Sequence, residues 1–210
     1  MPDLGQSFAE QLTGLNAEDL SGRLFNEISR EIIAGSRSER GNASTRQSVR
    51  LTIERIALFA DKFKDKALRK LVLANFKRFS NIGSDWSSLF CLDFTQDNVF
   101  LTASGLKFLD PWLQTEYRGL STISLGQFCA LYAEVRNLPG GSDFKEKILA
   151  WIKSTLMAES KVSEEILVTG FELGRILQFT LSGFVRIETE PARSRQYFDT
   201  AKSALTELAK

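Results

Sequence analysis

The sequence predicts a mainly α-helical fold with one small β-hairpin region, arranged as a single domain over residues 1–210. Three observations carry that reading. Apolar residues recur at spacings of three and four through most of the chain, the period of a half-buried helix. Proline occurs only at positions 2, 111, 139 and 191, so helices run with few breaks. Short apolar runs separated by turn residues are confined to 86–112. The partition is helices in 1–80, a β region in 86–112 and helices again in 120–210.

Leu20, Leu24, Phe25, Ile28, Ile32 and Ile33 share a face and predict a helix over 17–34. Residues 35–44 are small, polar and aperiodic, and read as a loop. From Thr45 to Ser80 the helical pattern returns. Ile53, Ile56, Ala57 and Ala60 form one face, then Leu68, Leu71, Val72 and Asn75 another, which suggests two helices or a kinked one. The runs Ser88–Leu92, Asn98–Thr102 and Leu106–Leu109 are too short for helices. Ala103-Ser104-Gly105 between the last two is a hairpin turn signal. Beyond Pro111, helices are expected over 123–137, 142–158, 163–187 and 190–209. Pro139-Gly140-Gly141 breaks the chain, Ser142 is placed to cap the next helix, and Glu190-Pro191 fits a helix start.

Composition removes several functions. Lys and Arg total 27 and Asp and Glu 26, so the net charge is +1, which speaks against bulk-charge nucleic-acid binding. The chain has no His, which excludes Ser-His-Asp and Cys-His catalysis and His-ligated zinc. Its two Cys, Cys91 and Cys129, form no CxxC pair, so a four-cysteine zinc site is out. Met1–Asn16 lacks a basic stretch followed by an apolar core, and no apolar run is long enough to span a bilayer. The most apolar stretch, Ile166–Ile187, is interrupted by Glu172, Arg175, Gln178 and Arg186 and reads as a buried helix. A cytoplasmic protein that binds neither nucleic acid nor membrane is the expectation. Residues 61–78 are basic, with seven cations against Asp61 and Asp65; they read first as a solvated helix face whose Phe and Leu residues face the core, and otherwise as a surface for RNA, phospholipid or an acidic partner. Gly170 and Gly174, four apart, permit close approach of another helix, in the core or in a dimer.

Chemistry concentrates in Leu89–Trp112. Asp93 ends an apolar run and opens a polar loop. Asn98 follows five residues later. A hairpin then delivers Asp110 at the end of its last strand. Such an arrangement brings three hard oxygen ligands together, and that donor type suits Mg²⁺. A carboxylate beside a reacting hydroxyl serves as base or orienting group. The plainer alternative is that Asp93 and Asp97 cap turns, and that Asp110-Pro111 merely ends a strand.

The pattern D-x-x-x-x-N, hairpin, hydrophobic-Asp-Pro resembles the catalytic and metal-binding loops of kinase-like small-molecule phosphotransferases. The aminoglycoside phosphotransferase and choline kinase families are nearest in pattern. The resemblance implies the helical C-terminal lobe of that fold. It gives Asp93 the role of the catalytic-loop aspartate, and it gives Asn98 and Asp110 the Mg²⁺. ATP or GTP would be the phosphoryl donor and a hydroxyl-bearing small molecule the acceptor. The sequence departs from the families in three ways. Cys91 and Leu92 stand where His and Gly are usual. Ser124 stands near where a second Asp often opens the next helix. No Gly-rich loop or strand Lys precedes the motif, so the N-terminal lobe is read as absent. The resemblance therefore implies an N-lobe partner chain, or self-association over the surface that lobe would cover. A non-catalytic, pseudokinase-like scaffold is the alternative, favoured by Cys91, Leu92 and Ser124.

Overall fold

The computed structural model describes residues 25–26, 28–30, 32–33, 45–80, 82, 88–89, 99–102, 105–108, 118–136 and 141–210. Most of these are helical. Residues 25–26, 28–30 and 32–33 are helical, as the Leu/Ile spacing predicts. Ile28 and Ile32, four apart, are both buried, and Phe25 sets its ring edge-on to Trp151 at 6.1 Å.

The periodic stretch 45–80 is two helices, α1 (Thr45–Lys62) and α2 (Lys66–Ser80). On α1, Val49, Ile53, Ile56 and Ala60 are buried at spacings of three and four. The break at Phe63-Lys64-Asp65 has a local cause. The Lys64 N–H donates to the Asp61 carbonyl and the Asp65 N–H to the Ala60 carbonyl, each at 2.9 Å. That is the double closure of a helix C-terminus, with Lys64 left-handed at φ 61°. Asp65 then caps α2, its Oδ1 accepting from the Leu68 N–H at 2.9 Å.

Two short antiparallel pairs follow. β1 (Ser88–Leu89) pairs with β4 (Arg118–Gly119), and β2 (Val99–Thr102) pairs with β3 (Gly105–Phe108). The register matches Thr102 with Gly105, so the connection is two residues and Gly105 is already the first residue of the return strand. β4 was not legible in the sequence, because two residues cannot show an alternation.

The C-terminal part holds the centre of the core. α3 (Ser121–Cys129) is buried at every position and runs on into a π-helical stretch, Ala130–Val135. α4 (Gly141–Trp151) continues through a second π stretch, Ile152–Leu156, into α5 (Met157–Ser160). The sequence places a cap at Ser142, but α4 already begins at Gly141, so Ser142 lies inside its first turn. α6 (Glu164–Phe184) is capped by Ser163, whose Oγ accepts from the Ile166 N–H. α7 (Pro191–Leu208) starts with Pro in its first turn after Glu190, where a missing N–H costs nothing.

α6 is the axis of the packing. It lies against α3, α7 and α1. One connected set of buried apolar side chains runs from Ile28 and Ile32 through α1, α2, α3 and α6 to Phe198 and Leu205 on α7. Phe63 at the α1–α2 corner stacks on Phe198, centroids 3.9 Å apart, and Phe59 stacks on Phe184 at 5.2 Å. No helix among the described residues is long and apolar enough to cross a membrane.

Candidate functional site

The residues that the sequence singles out for chemistry, Asp93, Asn98 and Asp110, lie outside the described residues, as do Cys91, Leu92, Trp86 and Trp112. The frame around them is described. The hairpin ties Val99, the residue after Asn98, to Phe108, two residues before Asp110. The two ends of the hairpin therefore adjoin two of the three oxygen donors. Among the described residues, no group of three or more His, Cys, Asp or Glu side chains is arranged to hold a metal.

The chain leaves the β region at a fixed point. The Leu120 N–H donates to Ser48 Oγ on α1 at 2.9 Å, and that hydroxyl donates in turn to the Thr45 carbonyl at 2.8 Å. Leu120 and Ser48 are both buried. A polar residue among the buried positions of α1 thus anchors the backbone just before α3. Ser124 does not open the next helix. Ser121 does, and Ser124 is the fourth residue, buried within α3.

α3 crosses α6 at glycines on both sides. A Cβ on Gly126 would meet the Phe171 carbonyl oxygen at 1.9 Å, and one on Gly174 would meet the Ile123 carbonyl oxygen at 1.9 Å. Gly170 faces Leu120 and Thr122 side chains instead. The Gly170/Gly174 spacing therefore serves packing inside the chain, the first of the two roles its sequence allows. Gly126 on the facing helix completes the contact.

Beside this crossing lies a charged cluster that pattern reasoning passed over. Arg175 on α6 grips Glu134 of the first π stretch with two hydrogen bonds, Nε to Oε1 at 2.7 Å and Nη2 to Oε2 at 2.6 Å. Its Nη1 donates to Glu172, one turn back. Burial works against the guanidinium charge, but the hydrogen bonds and charges of Glu134 and Glu172 outweigh it and hold the pKa above the ordinary Arg value. The ring of Phe179 lies beneath, 5.8 Å from the guanidinium carbon. The signal available in the sequence was the Glu172/Arg175 spacing inside an otherwise apolar run. Every charge in the cluster is paired, so its chemistry is to fix the π stretch against α6, not to act on a substrate.

Cys129, at the end of α3, is fully buried, and burial first, then the Glu134 charge, pushes its thiol up to about 12. Such a thiol is no nucleophile at neutral pH. The basic stretch 61–78 folds as the sequence suggests on its inner side. Leu68, Val72 and Phe79 are buried while the Lys residues stay exposed. Leu73 is the departure, since it is 52% exposed on the basic side. A recess of about 750 Å³ opens there, between the α1–α2 corner and the outer face of α2.

Comparison of the chain with protein-family models, with curated proteins and with solved structures finds no match.

Proposed function

We propose that the chain is the helical, C-terminal-lobe part of a kinase-like phosphotransferase, moving a nucleotide phosphoryl group to a hydroxyl acceptor. The observation that supports it most is the register of the hairpin. It pairs Val99, next to Asn98, with Phe108, two residues before Asp110, in keeping with the hairpin that the resemblance to aminoglycoside phosphotransferases and choline kinases implies. A wholly buried helix, α3, directly after that segment is consistent with a helical lobe built to hold it.

In this reading Asp93 orients the acceptor hydroxyl and takes its proton. Asn98 and Asp110 would hold Mg²⁺. Carboxylate and amide oxygens are the hard donors this ion takes, so the donor set fits it. The bound ion would neutralise charge on the phosphates of ATP or GTP. With no Gly-rich loop or strand Lys ahead of Asp93 in the sequence, Asn98 and Asp110 would reach the phosphates only through metal, and turnover would need a nucleotide-binding lobe from elsewhere.

The test uses Mn²⁺ in place of Mg²⁺, with ATP, followed by water-proton relaxation on the full chain. The expected result is millimolar binding, about 4 kcal/mol, lost in Asp110→Asn and weakened in Asn98→Ala. Equal binding by wild type and both variants refutes the metal site. The departures Cys91 and Leu92 favour a second reading, a pseudokinase-like scaffold that has lost nucleotide chemistry. Absence of any Mn²⁺–ATP binding by the wild type, in a folded protein, selects that reading.

A further inference from the structure

We infer that the recess at the α1–α2 corner docks an acidic peptide segment of a partner protein, with Leu73 as its apolar anchor. The inference does not rest on the phosphotransfer reading. On α2, Lys66, Lys70, Leu73 and Lys77 follow one another at three- and four-residue steps and so share one face, with Arg69 beside Lys70. The opposite face carries the buried Leu68, Val72 and Phe79. The left-handed turn at Lys64 brings a further cation to the same recess.

The two acids lining it are already engaged. Asp61 pairs with Arg69 at 2.8 Å. Asp65 caps α2 and pairs with Lys202 of α7 at 3.1 Å. Lys64, Lys66 and Lys70 are exposed and make no ion pair with another described residue. Three uncompensated ammonium groups around a concavity of about 750 Å³ are complementary to carboxylates. Leu73 at 52% exposure adds the apolar centre that a peptide contact uses and a purely ionic one does not. From Lys66 to Lys77 the helix rises about 17 Å, the reach of about five residues of extended peptide.

Other polyanions fit less well. A bilayer needs apolar groups projecting beyond the charges, whereas this surface is a hollow with a single leucine. Single-stranded nucleic acid needs aromatic platforms, and the exposed large apolar side chains among the described residues are Leu58, Leu73, Met157 and Val185, none of them aromatic.

The test is selection of random short peptides displayed on phage against the full chain, followed by fluorescence anisotropy with the best labelled peptide. Selected peptides are expected to be rich in Asp and Glu around one large apolar residue. Their affinity should fall at least about tenfold in the triple variant Lys64→Glu, Lys66→Glu, Lys70→Glu, and about threefold in Leu73→Ala. All four positions are exposed, and circular dichroism checks that the variants keep the fold. Selection without acidic enrichment, or binding unchanged in the triple variant, overturns the inference. Phosphatidylserine vesicles or a single-stranded oligonucleotide binding more tightly than the peptides, with the same charge-reversal sensitivity, would give the recess to lipid or nucleic acid instead. Self-association of the chain that the triple variant abolishes would give it to a second copy.

Discussion

The crossing of α3 and α6 makes a sharp quantitative demand. Gly126 and Gly174 are reciprocal, since each helix offers a glycine to a backbone carbonyl of the other at the distance where a Cβ would stand 1.9 Å from oxygen. An ordinary carbon–oxygen contact is about 3.3 Å, so an added methyl must push the helices apart by about 1.4 Å. Backbone cannot rotate away as a side chain does. A gap of that size forfeits half or more of the dispersion energy of every pair it separates. α3 is buried at all nine of its positions, so many pairs are involved. Against this, Ala is better than Gly in a helix by about 1 kcal/mol. The net expectation for Gly174→Ala is a loss of about 3 kcal/mol or more, at the upper end of overpacking costs. Gly126→Ala should cost about the same. Once one methyl has opened the crossing, the second enters space already made. The double variant should therefore be only slightly worse than either single, a coupling of about 2 kcal/mol against additivity. Gly170→Ala is the control. Its Cβ meets Leu120 and Thr122 side chains, which can turn aside, so a loss of about 1 kcal/mol is expected. Urea unfolding followed by circular dichroism reads all four. Should Gly174→Ala prove more stable than wild type, or the two large effects add, the close backbone contact is wrong.

Two further outcomes follow from buried polar groups. Ser48→Ala removes the acceptor of the Leu120 N–H and leaves that donor buried, at a cost of about 2 kcal/mol in urea unfolding; a change under about 0.5 kcal/mol would mean that the anchor does not exist. Cys129 has its thiol raised by burial from 9.0 to about 12 in the folded state. A raised thiol pKa means that the folded state resists ionisation. The stability Cys129 contributes is thus fully present below about pH 9 and is lost as pH rises toward 12. Unfolding curves should show wild type losing ground to Cys129→Ala over that window, with the native thiol refusing iodoacetamide at about pH 8. A pH-independent difference between the two proteins would contradict the burial of this thiol.

What could be read without coordinates was what a single period encodes. Val49, Ile53, Ile56 and Ala60 are buried because they recur at helical spacing, and the sequence showed the spacing. The hairpin was legible because Gly105 and two short apolar runs leave few alternatives, although the turn is one residue shorter than expected, Gly105 already belonging to the return strand. Relations between distant elements were not legible. Gly174 looked like half of a spacing motif, and the partner that gives it meaning, Gly126, lies 48 residues away on a helix with no matching pattern. Arg175 read as an interruption of an apolar run because Glu134, which neutralises it, is 41 residues distant. Leu73 read as core with the other Leu and Phe residues of the basic stretch, although it lies off the face that Leu68 and Val72 share.

The same distinction bears on where function sits. The oxygen donors of the proposed site fall in sequence between Ser80, the end of α2, and Leu120, the residue before the buried helix α3. Both ends of that segment are held by the helical scaffold. At the Ser80 end, Arg78 in the last turn of α2 donates from Nη1 to the Ala209 carbonyl at the end of α7, and the neighbouring Phe79 is buried. Leu120 is locked to α1 by Ser48. A chain segment fixed at both ends, and stapled internally by the Val99–Phe108 pairing, can vary in sequence without disturbing the core that presents it. That is the usual division of labour between a rigid scaffold and a chemical loop. Cys91 and Leu92, the departures from the proposed pattern, fall in sequence within this segment, between α2 and α3. That division also makes the site separable in experiment. Asp110→Asn should leave the urea midpoint where it is while abolishing Mn²⁺–ATP binding, whereas Ser48→Ala should lower the midpoint and weaken binding only in proportion to the unfolded fraction. If Asp110→Asn lowers stability as Ser48→Ala does, Asp110 is a structural residue ending a strand, and the phosphotransfer reading loses its principal metal ligand.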